Sequence, residues 1–169
     1  PRKNLVRLAE AFALLLRDEA QLPPGLQLVI AGRRGWLYEE LFAAVDRLGL
    51  RERVRFLDFV EDQGLPALYN LARVFVYPSL YEGFGLPALE ALACGTPVVT
   101  SAVSSLPEVV GGAAILVDPL SVEAISAGMA RALADGGATR GAGPLQARRF
   151  SWEQAAQELL ACYGELARR

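Results

Sequence analysis

Two carboxylates separated by seven residues, Glu82 and Glu90, flank a glycine-rich turn, Gly83-Phe84-Gly85. Glycine lets a main chain approach a ligand closely. Ahead of the turn, the apolar run Val74-Phe75-Val76-Tyr77 reads as a strand buried on both faces. Behind it, Pro87 suits the first turn of a helix and Gly95 its left-handed C-terminal cap. Strand, turn and helix aim unpaired N–H groups and the positive end of a helix dipole at one point, which is how an anion is bound. From Leu86 to Cys94, Glu90 alone is charged, so this helix is expected to be packed nearly all round with Glu90 against protein. A carboxylate so placed needs donors, and ligand hydroxyls supply them. The plainer alternatives are a surface Glu90 favoured by the helix N-terminus, and a solvated Glu82 in its loop.

Composition narrows the chemistry. The chain has 169 residues, 53% hydrophobic and 21% charged, which is one globular domain's worth. Its net charge of −2 argues against a nucleic acid or an anionic membrane as a general partner. There is no histidine, so Ser–His and Cys–His catalysis and histidine metal sites are excluded. Two cysteines, Cys94 and Cys162, make no disulfide framework and suit a reducing compartment. No Asp-x-Asp motif is present, and neither a metal nor a cofactor is expected. No apolar run reaches the roughly 18 residues of a membrane span. A cytoplasmic location, with peripheral membrane contact left open, is the expectation.

The elements that must position the carboxylates follow from periodicity. Asn4 reads as the N-cap of a helix carrying Leu5, Leu8, Ala9, Phe12, Leu15 and Leu16 through about residue 19. Arg2 and Lys3 stand at its start, where two cations oppose the dipole at a cost of a few tenths of a kcal/mol. An anion there would relieve that cost; a solvated basic segment is the alternative. Leu26 to Ala31 reads as a strand ending in the Gly32-Arg33-Arg34-Gly35 loop, Trp36 to Leu48 as a helix stopped by Gly49, and Val54 to Phe59 as a strand. Leu65 to Ala72 is a short helix and Pro97 to Ser101 a buried strand. Ser105-Leu106-Pro107-Glu108 reads as a capping box, which gives Glu108 a structural purpose. Ala113 to Val117 is the last strand, followed by a helix with Val122, Ile125, Met129 and Leu133. Asp135 to Gly143 reads as a surface loop, and Ser151-Trp152-Glu153-Gln154 as a second capping box opening a final helix to about Leu166. Alternating strands and helices predict an α/β, doubly wound (Rossmann-like) parallel sheet with helices on both faces. Its ligands bind beyond the C-terminal strand ends, where Arg2, Lys3, Gly32, Asp58 and Glu82 to Gly85 all fall.

The Glu-x7-Glu pattern, in this order of elements, resembles the donor-site motif of the retaining glycosyltransferase family 4, which has the GT-B fold. Leu68-Tyr69, Tyr77-Pro78-Ser79, Cys94-Gly95-Thr96-Pro97-Val98-Val99, Leu106-Pro107-Glu108-Val109 and Phe150-Ser151-Trp152 extend the resemblance over most of the chain. The resemblance implies a single donor-binding domain over residues 1–169, the C-terminal half of a GT-B enzyme, whose first central strand and N-terminal acceptor domain are absent. It implies a nucleotide-diphospho-sugar donor, held with retention of configuration and without a metal. Glu82, Lys3 and Arg2 would be catalytic, the cations against the diphosphate and Glu82 against the donor sugar or its developing charge. Gly83, Phe84, Gly85, Leu86, Glu90, Gly32 and Arg33 would bind the donor, with Glu90 on the ribose. Without the acceptor domain, which the last helix would cross back to meet, the chain is expected to transfer sugar poorly or not at all. Other readings stand beside this one. Gly83-x-Gly85-x-x-Ala88 with Glu108 also fits an NAD(P)-binding oxidoreductase fingerprint. An epimerase or phosphorylase of the same fold, or a non-catalytic module, would share the architecture.

Overall fold

A computed structural model describes residues 2–32, 38–135 and 141–168. Helix α1 (Leu5–Leu15) passes into a 3-10 segment over Leu16–Gln21, broken at Asp18, so the regular helix is shorter than its apolar stripe. Then come β1 (Leu28–Ala31), α2 (Tyr38–Arg47), β2 (Val54–Leu57), α3 (Leu65–Leu71) and β3 (Phe75–Tyr77). They are followed by α4 (Leu86–Ala93), β4 (Val98–Ser101), α5 (Leu106–Val110), β5 (Ile115–Val117), α6 (Val122–Ala134), α7 (Ala142–Ala147) and α8 (Trp152–Leu166). Of the sequence-predicted second helix, Trp36 and Leu37 lie outside the described residues. The predicted loop before residue 143 is overturned at its end, because Ala142 and Gly143 begin α7, with Gly143 buried against α4.

Every strand pairing is parallel. β1 pairs with β2, and β4 lies between β3 and β5. Among the described residues β1 and β3 do not bond to each other, so the ladders are two, joined by a common core. That core is built by Leu8 and Phe12 of α1, Leu41 and Val45 of α2, and Ile125 and Met129 of α6 against Ile30, Val54, Val99 and Val117. On the opposite face, Leu92 of α4 and Leu106 and Val110 of α5 close over Tyr77 and Val98. Alternation along β4 sends Val99 to one core and Val98 to the other, which is why all four of its residues are buried. The molecule is therefore an α/β Rossmann-like fold with helices on both sides of a parallel sheet. β3, read from sequence as buried on both faces, is the end of its ladder, with Phe75 and Val76 only half-buried.

Helix α4 ends as its glycine predicts. Gly95 adopts φ +73, its N–H bonds Leu92 O, and Thr96 N–H bonds Ala91 O, the double closure of a Schellman turn. Helix α8 opens on Ser151, whose hydroxyl accepts from the Gln154 N–H at 3.1 Å. The Gln154 amide turns to Glu158 instead of reaching back, so only half of the second capping box forms. No residue of α8 is buried, and Trp152, Leu160 and Tyr163 lie exposed along it. No helix among the described residues is long and apolar enough to cross a membrane.

Candidate functional site

The loop from Pro78 to Gly85 leaves the C-terminal end of β3 and meets the start of α1. Asn4 makes the joint. It stands at the N-cap position of α1, but its side chain does not cap the helix. Its φ is +59, a left-handed conformation that asparagine tolerates better than most residues. From there its amide donates to Pro78 O at 3.0 Å and Pro119 O at 2.7 Å, tying α1 to the ends of β3 and β5. Arg2 O accepts from Leu80 N at 2.9 Å. The tie sets Arg2 and Lys3 directly over Glu82.

Glu82 is buried, 6% exposed. Its Oε2 accepts from Arg2 Nη1 at 2.8 Å, and its Oε1 accepts from Lys3 Nζ at 2.7 Å and from the Tyr77 hydroxyl at 2.8 Å. Lys3 also donates to the Tyr77 oxygen. Burial alone would push the Glu82 carboxyl up; the bonds from Lys3 and Tyr77 outweigh it and hold the group below its ordinary value. The Tyr77 phenol is pushed well above its ordinary range by burial and by the Glu82 charge. The solvated alternative for Glu82 is thus overturned: Arg2 and Lys3, 80 and 79 positions away in sequence, and Tyr77 supply the donors that make its burial tolerable.

The loop is braced from the side by two serines, of which Ser105 was expected to cap α5. Ser104, at φ +51, accepts the Glu82 N–H on its hydroxyl at 3.1 Å. The Ser105 hydroxyl bonds Glu82 O at 3.0 Å and Phe84 O at 2.9 Å. It makes no capping bond to α5, so the capping box at Ser105 does not form, and Glu108 lies exposed. The Ser105 backbone is helical (φ −75, ψ −14) where a capping residue is extended, so its hydroxyl faces the loop carbonyls and not the helix N–H groups. Gly85 follows at φ +106, and a Cβ there would lie 2.6 Å from Leu106 Cδ2. Among the described residues no main-chain carbonyl takes the N–H groups of Gly83, Phe84 or Leu86. Phe84 meets Phe150 edge-on at 5.6 Å, and Leu86 is exposed at the N-terminus of α4.

Glu90 is exposed, which overturns its expected packing. Ala88, Ala91 and Leu92 face the core, while Leu86, Glu90 and Ala93, at helical spacing, share the open face. An apolar composition of small residues did not mean burial all round. The Tyr69 hydroxyl of α3 donates to Glu90 Oε2 at 2.9 Å. Gly32 closes β1, its N–H shared between Leu57 O and Asp58 O, and is not hydrogen-bonded to the Glu82 cluster among the described residues. Arg33, the other predicted donor ligand of that turn, lies outside the described residues. A cleft of about 410 Å3 runs from Lys3 and Arg7 of the α1 start to Tyr38 and Glu40 of α2. Sequence reasoning thus missed Asn4 as a tie, both serines, and the phenols of Tyr69 and Tyr77. An asparagine before a helix and two tyrosines near strand and helix ends were the only local signals.

The dinucleotide fingerprint is not where its chemistry requires. Residues 78–82 separate the end of β3 from Gly83, whereas the fingerprint needs a tight turn directly after a strand.

Comparison with known proteins adds a family. The model of the family described as glycosyl transferases group 1 matches residues 1–157. The O-antigen chain mannosyltransferase B of Escherichia coli is 46% identical over 167 residues, covering 96% of this chain and 43% of that protein. The chain thus spans less than half the length of that relative. Sucrose-phosphate synthase from Thermosynechococcus elongatus superposes with a TM-score of 0.84 at 32% identity, over 98% of this chain and 42% of that one. HepE from Anabaena, solved in complex with UDP-glucose, superposes with a TM-score of 0.82 at 25% identity, over 98% of this chain and 46% of that one.

Proposed function

The chain belongs to the group 1 glycosyl transferases, and from that premise we propose that it forms the donor site of a retaining enzyme, binding a nucleotide-diphospho-sugar. The observation that carries the reading is the Arg2–Lys3–Glu82 cluster beside the N-terminus of α4. Two cations against one carboxylate leave a net charge of +1. The Arg2 and Lys3 side chains remain 57% and 41% exposed, with N–H donors to spare. A diphosphate bound there meets those cations, the open N–H groups of Gly83 and Phe84, and the positive end of the α4 dipole. The same groups neutralise charge as the nucleoside diphosphate departs, and preorganised stabilisation of this kind is commonly the largest catalytic contribution.

Within this reading Glu82 acts through the cations it holds. Both of its oxygens are occupied and its carboxyl is held below the ordinary range, so it is a weak base. Its negative charge lies next to the place where positive charge develops on the sugar. Glu90, on the open face of α4, accepts hydroxyls of the ribose. Retention of configuration rests on the resemblance of the Glu-x7-Glu pattern. The acceptor is met by the part of the longer protein that its relatives possess beyond this chain's span, and efficient transfer needs that part.

The test is thermal unfolding of this chain with UDP, GDP, ADP, dTDP and NAD, beside Glu90→Ala. A ligand at 100 times its Kd adds about 2.7 kcal/mol, or about 5–10 °C for a domain of this size. One nucleoside diphosphate is expected to raise the wild-type midpoint, with the shift reduced in Glu90→Ala. A shift with NAD alone, or with none of the five, overturns the reading.

A further inference from the structure

We propose that Tyr69 is a positioning residue for Glu90, aiming the exposed carboxylate at the vicinal hydroxyls of the nucleotide's ribose. The inference rests on the donor-site reading above and adds to it the residue that sets ribose specificity.

An exposed glutamate on a helix has three rotatable side-chain bonds, and ordering it for a ligand costs rotamer entropy. A fixed donor on one oxygen removes much of that freedom before the ligand arrives. The Tyr69 hydroxyl is such a donor, 2.9 Å from Glu90 Oε2. It leaves Oε1 to the open face of α4.

Tyr69 is itself held at two points of the α4 frame. Its phenol reaches the middle of the helix, and its carbonyl accepts from Thr96 Oγ1 at 2.7 Å, in the turn that closes the helix. Its ring meets Phe75 edge-on at 5.3 Å, and Phe75 stacks on Tyr77 at 5.7 Å. The ladder ends on the tyrosine that bonds Glu82. One aromatic row therefore carries a phenol to each carboxylate of the Glu-x7-Glu pair. Burial, and then the bond to Glu90, push the Tyr69 phenol well above its ordinary range, so it remains a donor at any physiological pH. A ribose presents two O–H donors to a carboxylate that can only accept. A 2′,3′-dideoxyribose presents none, so the ratio of the two affinities measures how well the carboxylate is aimed.

Isothermal titration of this chain, Tyr69→Phe, Glu90→Ala and the double variant with UDP, GDP and ADP and with their 2′,3′-dideoxy counterparts tests the proposal. The wild type is expected to prefer the ribose form of the nucleotide it binds. Tyr69→Phe is expected to cut that preference about fivefold, the worth of one well-aimed hydrogen bond. Dideoxy affinity stays within about twofold, which also verifies folding. In the Glu90→Ala background, which leaves the Tyr69 hydroxyl no acceptor, Tyr69→Phe is expected to change nothing further. A Tyr69→Phe variant that keeps the full ribose preference, or that loses both forms equally, overturns the positioning role while leaving the donor site standing. A wild type that binds none of the three nucleotides, or both sugar forms alike, overturns the Glu90 reading and this inference with it.

Discussion

Glu82 and Glu90 terminate the same stretch of chain, yet one is enclosed by protein donors and the other stands on an open helix face with one phenol beside it. Glu82 takes its bonds from three residues, of which Arg2 and Lys3 arrive from the far end of the sequence. Its position is settled before any ligand binds, and its charge is committed to two cations. Glu90 keeps acceptor capacity for what lies outside. A carboxylate satisfied by the fold is part of the electrostatic frame, whereas one with a single protein donor has acceptor capacity left for a ligand. Two residues of one type, eight positions apart, sit in opposite surroundings, and under the proposed donor site one holds charge while the other reads hydroxyls.

The comparison breaks if the two sites contribute equally to stability. Glu82→Ala removes the acceptor of the buried Tyr77 hydroxyl and of both cations. The expected cost is about 2–3 kcal/mol, at the lower end for a buried pair because Arg2 and Lys3 still reach water. The midpoint of thermal unfolding should fall by about 5–10 °C. Glu90→Ala should stay within about 0.5 kcal/mol of the wild type, as an exposed helix position does. Equal losses would mean that the exposed carboxylate is also part of the frame.

The joint between the two sites is Gly85, and Gly85→Ala sharpens the contrast. At φ +106 a Cβ is strained, and here it would also stand 2.6 Å from Leu106 Cδ2. A loss of about 2 kcal/mol is expected in chemical denaturation. Because Leu106 packs in the core beneath α4, the start of that helix must shift to relieve the contact. Nucleotide affinity should therefore drop in this variant more than in Glu90→Ala if the N–H groups of the turn hold the diphosphate.

The parallel architecture and the strand–turn–helix around residues 75–95 were legible from the chain alone. An apolar run rich in β-branched and aromatic residues, a proline at a helix start and a glycine at its end each report on local conformation, and strand, helix and cap form there within a few residues. What was not legible was which groups meet. The environment of Glu82 depends on Lys3, 79 positions away, and on a tie made by Asn4 that a propensity for capping concealed. Ser105 fits a capping pattern, but its own backbone is helical and its hydroxyl donates to the carbonyls of Glu82 and Phe84. Local patterns predict the bonds a residue could make; tertiary neighbours decide the ones it does. The burial of Glu90 was misjudged because the Ala, Leu and Pro residues of the rest of α4 say nothing about how wide its contact face is.

The smallest effect is the pH dependence, and it separates the two carboxylates without removing either side chain's volume. The Glu82 carboxyl is held below its ordinary value of 4.5, so the folded chain binds that proton less readily than the unfolded chain. Its stabilisation is whole above about pH 4.5 and is lost as the pH falls through the lower, folded-state value. Glu82→Gln cannot titrate, so it should be less stable at neutral pH but lose less on acidification. The Tyr77 phenol runs the other way. Raised above its ordinary 10.0 by burial and then by Glu82, it adds stability that is present below that pH and lost above it. In Glu82→Gln the charged partner is gone while burial remains, so Tyr77 should ionise at lower pH than in the wild type, although still late for a tyrosine. Absorbance of phenolate at 295 nm across the alkaline range follows this directly. If Glu82→Gln leaves both the acid slope and the phenolate curve unchanged, the carboxylate does not hold the charge assigned to it, and the contrast with Glu90 disappears.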